Sequence, residues 1–315
     1  MVKLGKARTI GELKNDGYQL ASVREEMRHN LITMLREKKT LFPGIIGYDE
    51  TVIPQIENAI LSGQDIIFLG ERGQAKSRIM RALVNLLDEK IPVIKDCEIN
   101  DDPLSPICKQ CRNKVTEKGD ATEISWLPRG ERYGEKLATP DIAIADLIGD
   151  VDPIKVAEGR YLSDELTIHY GLIPRTNRGI FCINELPDLA ERLQVGLFNL
   201  MEERDIQIRG YRIRLPLDIF LVASANPEDY TNRGRIITPL KDRYGAQIRT
   251  HYPNNLEDEM TIMEMERRQF SGDGFEVYVP QYMKEIYRRN NPISPQKPRY
   301  QPAFRRKCPG INCQL

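Results

Sequence analysis

Asp65-Ile66-Ile67-Phe68-Leu69-Gly70-Glu71-Arg72-Gly73-Gln74-Ala75-Lys76-Ser77 leads directly into Arg78-Ile79-Met80-Arg81-Ala82-Leu83-Val84-Asn85-Leu86-Leu87. The apolar run from Ile66 to Leu69 has the length and composition of a buried strand, and the residues from Arg78 onward have helical spacing. The order is therefore strand, glycine-bearing loop, helix. A nucleoside triphosphate needs successive backbone N–H groups around its phosphates, a lysine for the β and γ charge and a hydroxyl for Mg²⁺. Gly70, Glu71, Arg72, Gly73, Gln74 and Ala75 form the loop, and Lys76 and Ser77 supply the amine and the hydroxyl. The usual GxxxxGK[ST] pattern has glycine where Ala75 stands, a small residue that still lets the backbone approach closely. A turn before a surface helix can carry Lys-Ser by chance, but the flanking strand and helix favour nucleotide binding.

Outward from this stretch, 315 residues suffice for about two domains. The 46 basic and 46 acidic side chains balance, which argues against nucleic acid or an anionic membrane as the main partner. The charged N-terminus lacks an apolar core of signal-peptide type and no run reaches the length of a membrane span, so the expected location is cytoplasmic. Ser22-Val23-Arg24-Glu25 has the form of a capping box opening an amphipathic helix, with Val23, Met27, Leu31 and Leu35 four apart and Leu41-Phe42-Pro43-Gly44 as its stop. Packing is the expected use of that helix, ahead of partner binding. From Ile45 to about Pro253 strand-like runs alternate with helical patterns, as in a parallel sheet covered on both faces.

A phosphate loop alone does not hydrolyse ATP. It needs a carboxylate at a neighbouring strand end. Gly179-Ile180-Phe181-Cys182-Ile183-Asn184-Glu185 has that form, with Glu185 the candidate to polarise water and Asn184 standing where a metal-associated Asp is normally found. Cys182 lies within the run and reads as a small core residue. A third apolar run, Ile219 to Ala225, ends in Asn226, which can hydrogen-bond both γ-phosphate and water. Arg243, just before a final strand, is positioned to reach a neighbouring subunit's phosphate.

Assembled, these residues resemble the AAA+ ATPases, in particular the group that contains the magnesium chelatase ATPase subunit and the MoxR-type proteins. Gly70 to Ser77 and Ile180 to Glu185 look like Walker A and Walker B, and Ile45-Ile46-Gly47-Tyr48-Asp49-Glu50 looks like the box against adenine, with Ile46 and Gly47 in contact. Asn226 matches sensor 1, and Arg243 the arginine finger. Asp146 to Asp152 with Gly171 to Gly179 resembles the group's helix-2 insertion, and Leu200 to Pro216 its hairpin before sensor 1. The resemblance implies an α/β P-loop AAA+ core with a parallel sheet between helices, those two insertions and a helical lid. It also implies ATP and Mg²⁺ as ligands, with Mg²⁺ served by Ser77 and Asn184. A ring, commonly hexameric, would remodel or activate a partner, often one carrying a von Willebrand A domain. The rival is a nucleotide-binding assembly subunit without turnover, which Asn184 favours.

Cys97, Cys108 and Cys111 share one polar segment, and Cys-x-x-Cys is a spacing that tetrahedral zinc uses. Free thiols in a loop are the commoner alternative, and a fourth ligand could come from Asp96, Asp101, Asp102 or water. From Arg288 the chain has five prolines, many basic residues and no acidic one, breaking the helix begun near Pro280. A slipped reading frame near Tyr287 accounts for this better than a basic binding tail. The expected organisation is an N-terminal helical extension (1–41), an α/β nucleotide-binding domain (42–253), a partial helical lid (254–286) and a disordered aberrant tail (287–315).

Overall fold

The computed structural model describes residues 7–152, 157, 165–202, 205–207, 214–227, 236–266, 280, 282, 283 and 286. In chain order the elements begin with α1 (Ile10–Asn15), α2 (Val23–Arg36), α3 (Val52–Leu61), β1 (Ile66–Leu69) and α4 (Lys76–Ala82), the last extended by a 3₁₀ turn. They continue with β2 (Lys90–Ile94), α5 (Lys109–Lys118), β3 (Ile124–Pro128), β4 (Tyr133–Leu137), α6 (Ile144–Leu147), β5 (Gly149–Val151), β6 (Ile168–Tyr170), α7 (Leu172–Arg175) and β7 (Gly179–Asn184). The remainder comprises α8 (Glu191–Glu202), β8 (Asp205–Gln207), β9 (Arg214–Pro216), β10 (Ile219–Ala225), α9 (Thr238–Arg243), β11 (Ala246–Arg249) and α10 (Leu256–Glu266).

Five strands form one sheet in the order β11-β1-β10-β7-β4, every pair parallel. Parallel strands need apolar cover on both faces, and the alternation along β1 shows how it is met. Ile66 and Phe68 pack with Val23, Met27 and Leu31 of α2, Ile56 of α3 and Ile79 of α4. Ile67 and Leu69 face the other way, into a core with Leu193, Leu197 and Leu200 of α8 and Leu240 of α9. Two short antiparallel pairs, β5–β6 and β8–β9, occupy the segments expected as the helix-2 insertion and the hairpin before the third strand. The expected α/β core is thus the one found.

Helix α2 opens as its sequence requires: the Ser22 side chain accepts the Glu25 N–H while the Glu25 carboxylate accepts the Ser22 N–H. Its end differs from expectation. The helix stops at Arg36, where Lys38 takes a left-handed φ of 53° and the N–H groups of Lys38 and Lys39 bond the carbonyls of Leu35 and Met34. This is a Schellman cap built without glycine, five residues before Pro43. Leu35, in the last turn of the helix, is exposed rather than part of the buried stripe.

The start of α2 is tied to the edge of the sheet where β1 and β10 begin. Arg24 places one Nη 2.5 Å from Asp65 Oδ1 and donates the other to the Ile219 carbonyl. The same Asp65 oxygen accepts the Leu221 N–H at 2.9 Å, and Asp218 Oδ2 accepts the Val23 N–H at 2.7 Å.

The chain divides into two compact units, residues 1–251 and 252–315. In the second, α10 starts with Asn255 accepting the Asp258 N–H through its side chain. Tyr282 and Ile286, four apart, are both exposed. The basic, proline-rich tail lies outside the described residues.

Candidate functional site

All five strands run the same way, so their C-terminal ends lie along one edge, where open α/β sheets bind ligands. Leu69 pairs with Ala225 of β10 on one side and Arg249 of β11 on the other. The Gly70 N–H then donates to the Ala225 carbonyl at 3.0 Å. A Cβ on Gly70 would come within 1.9 Å of Thr250 Oγ1 and 2.1 Å of Gln74 Oε1, so only glycine fits. Those two atoms are the reason: Thr250 donates to buried Gln74 at 2.6 Å and closes the loop from behind. Arg72 and Gly73 form an exposed tip, and Glu71 is half-buried.

Ala75 has φ 54° and ψ 13°, left-handed backbone at the position where the pattern has glycine. Alanine there costs about 1–2 kcal/mol, so the substitution is less neutral than its size suggests. Lys76 opens α4 and is buried, with Nζ donating to the carbonyls of Gly70 (2.6 Å) and Glu71 (2.5 Å). Ser77, beside it, is exposed. Ile46 and Gly47 are half-buried in the loop before α3. The residue that joins this loop to the phosphate loop is their neighbour Tyr48, whose hydroxyl lies 3.0 Å from the Gln74 carbonyl and 2.7 Å from the His251 carbonyl.

β10 stands between the phosphate-loop strand and β7. Asn226, buried, follows the last residue of β10. Glu185 follows the last residue of β7 and has φ 55°, a left-handed conformation that a non-glycine residue adopts only where its surroundings enforce it. The Glu185 N–H bonds Ser224 Oγ at 3.2 Å.

Asn184 donates through Nδ2 to Glu135 Oε1 and accepts from Ser224 Oγ at 3.3 Å. Glu135, on β4, also receives two bonds from Arg81 of α4, at 2.8 and 2.9 Å, and one from the Tyr133 hydroxyl. The Arg81 contact holds the Glu135 carboxyl below its usual range, against the opposing effect of burial. A carboxylate therefore adjoins the amide at 184, supplied from the neighbouring strand. No local motif announces Glu135; only the pairing of β4 with β7 brings it there.

Arg243 ends α9, with one Nη on the Pro239 carbonyl at 2.8 Å and the other 2.5 Å from Glu202 of α8. A cleft of 370 Å³ along this edge is lined by Gly70, Glu71, Gln74, Pro227, Lys241 and Thr250, among others. Cys182 is buried in the core, where burial pushes its thiol up to about 12. Cys97, Cys108 and Cys111, in the segment between β2 and β3, are brought together with Asp101. Asp96 and Asp102 do not join them.

The strand order, the phosphate loop and the hairpin before β10 define a P-loop protein of the AAA+ class. Within that class the chain is a relative of magnesium-chelatase subunit ChlI. It is 30% identical to that subunit of Mesostigma viride over 232 residues, 68% of this chain and 58% of that one. It is 27% identical to the ChlI homolog of Methanocaldococcus jannaschii over 236 residues, 71% and 58% of the two chains. A solved complex of magnesium-chelatase subunits BchI and BchD matches at TM-score 0.47 and 20% identity, over 85% of this chain and 69% of the matched one. No protein-family model matches the chain. The chain spans somewhat over half the length of the curated relatives it matches. No described helix is long and apolar enough to cross a membrane.

Proposed function

We propose that this chain is the ATP-hydrolysing module of an AAA+ machine that remodels or activates a partner protein. The carrying observation is that Gly70, Asn226 and Glu185 directly follow the last residues of three neighbouring parallel strands. In this reading the backbone from Gly70 to Ala75 surrounds the phosphates and Lys76 carries the β and γ charge. Ile46 and Gly47 border the base. Mg²⁺ prefers hard oxygen ligands, and the exposed Ser77 hydroxyl together with Asn184 and the adjoining Glu135 carboxylate offers them. Bound there, the ion would neutralise charge on the transferring phosphoryl group.

Glu185 accepts the proton of the attacking water, while Asn226 orients that water and reads the γ-phosphate. Arg243 serves the site of a neighbouring subunit in a ring, commonly a hexamer, after releasing Glu202. The nucleotide-binding domain is taken as residues 42–253. A partner carrying a von Willebrand A domain is the kind expected from the AAA+ resemblance.

A second reading, an assembly subunit that binds nucleotide without turnover, is favoured by the neutral amide at 184. Calorimetry with Mg-ATP and a phosphate-release assay on the same preparation separate the two. Binding with turnover supports the ATPase; binding without turnover supports the assembly subunit; absence of binding refutes both.

A further inference from the structure

The segment between β2 and β3 holds helix α5, whose sequence Lys109-Gln110-Cys111-Arg112-Asn113-Lys114-Val115-Thr116-Glu117-Lys118 has Cys111 as its one buried residue. A ten-residue helix with so little apolar surface is marginal by itself. Its N-terminus nevertheless sits in the core beneath the central sheet, where Cys108 and Cys111 pack with Ile94 and Ile99. One ligand atom each from Cys97, Asp101, Cys108 and Cys111 lies within 4.8 Å of the other three.

That spacing suits one small ion. Tetrahedral zinc with bonds of about 2.3 Å to sulfur sets its sulfurs about 3.8 Å apart. A four-iron cluster, with metal at every corner, holds its thiolates farther from one another. The sulfurs are also prepared for negative charge: Cys97 Sγ accepts the Asp101 N–H at 3.3 Å, and Cys108 Sγ accepts the Cys111 N–H at 3.3 Å.

Asp101 provides the independent observation. Its residue is fully buried, and Oδ2 is fixed by the N–H groups of Cys108 (2.9 Å) and Ile107 (3.2 Å). Oδ1, buried in the same place, has no hydrogen-bond partner. A buried carboxylate oxygen left this way is costly unless a cation takes it. The other nearby acids are otherwise engaged: Asp102 bonds Arg178 at 2.9 Å and the Tyr18 hydroxyl at 2.8 Å, and Asp96 is exposed.

We propose that Cys97, Asp101, Cys108 and Cys111 form a closed, four-coordinate structural zinc site that anchors α5 to the core. The site is separate from the strand-end residues and does not depend on the nucleotide reading. The test uses the full chain, reduced, stripped of metal and reconstituted with zinc sulfate alone. Elemental analysis is expected to give one zinc per chain, and cobalt in its place to give the intense visible bands of a tetrahedral thiolate site. X-ray absorption on the zinc form should show three sulfurs and one oxygen. Asp101→Asn, close to isosteric, should weaken zinc binding at least about tenfold. Substoichiometric zinc after reconstitution, or an octahedral cobalt spectrum, overturns the site. Unchanged affinity in Asp101→Asn overturns the assignment of its fourth ligand.

Discussion

The phosphate loop and the end of β7 share one edge of the sheet, yet they are built in opposite ways. The loop is eight consecutive residues whose shape comes mostly from backbone, with Tyr48 and Thr250 bracing it from outside. The strand end draws on Asn184, on Glu135 and Tyr133 of β4, on Arg81 of α4 and on Ser224 of β10. A change within the loop is therefore judged from its own dihedral angles. A change at 184 is judged only with four other side chains in view, and an amide in an acidic position need not leave that position without negative charge.

The sharpest way to break this contrast is Glu185→Gln. Loss of the base should lower turnover by about 10²–10⁴-fold while ATP affinity stays unchanged. Single-turnover phosphate release checks this, and equal rates in both proteins remove Glu185 from the chemistry.

Next in size is Lys76→Ala. Charge-assisted hydrogen bonds contribute about 1.5–3 kcal/mol each, so loss of the amine should weaken Mg-ATP binding about a hundredfold. Calorimetry that finds wild-type affinity sinks the loop assignment.

Asn184→Asp tests the strand end as a unit. It sets a second carboxylate against Glu135, which should raise the new group's folded-state pKa and cost about 1–3 kcal/mol at neutral pH. A raised acid penalises the folded state above its folded pKa, and the penalty vanishes below the unfolded value of about 3.9. Denaturation midpoints should therefore fall relative to wild type as pH rises from 4 to 7. Adding Glu135→Gln should restore them. A variant as stable as wild type throughout that range would show that the two positions do not touch.

The smallest effect belongs to the loop. Ala75→Gly relieves a left-handed alanine but adds freedom to the unfolded chain, for a net gain of about 0.5–1 kcal/mol. Urea midpoints measure it, and a loss of stability would mean that position 75 prefers alanine for another reason.

The same division explains what could be read from sequence. Gly70 to Ser77 was readable because every determinant is contiguous, and the capping box at Ser22 for the same reason. The insertion of β10 between β1 and β7, the carboxylate of Glu135 and the choice of Asp101 over Asp102 depend on partners far along the chain. The end of α2 was misplaced because Lys38 stops it with a left-handed residue, a role for which sequence patterns look to glycine.

The tie between α2 and the sheet bears on where this chain can be cut. A fragment beginning at residue 42, the start of the nucleotide-binding domain by motif, would lose Arg24 and keep Asp65, whose side chain is only 3% exposed. Removing one member of such a pair costs about 3–5 kcal/mol, a large share of the stability of most domains. It would also release the ends of the two strands that carry Gly70 and Asn226 at their far tips. Residues Val23 and Arg24 thus help hold the strands of the nucleotide edge from their opposite ends, and a boundary drawn at residue 42 by motif alone would cut through these contacts.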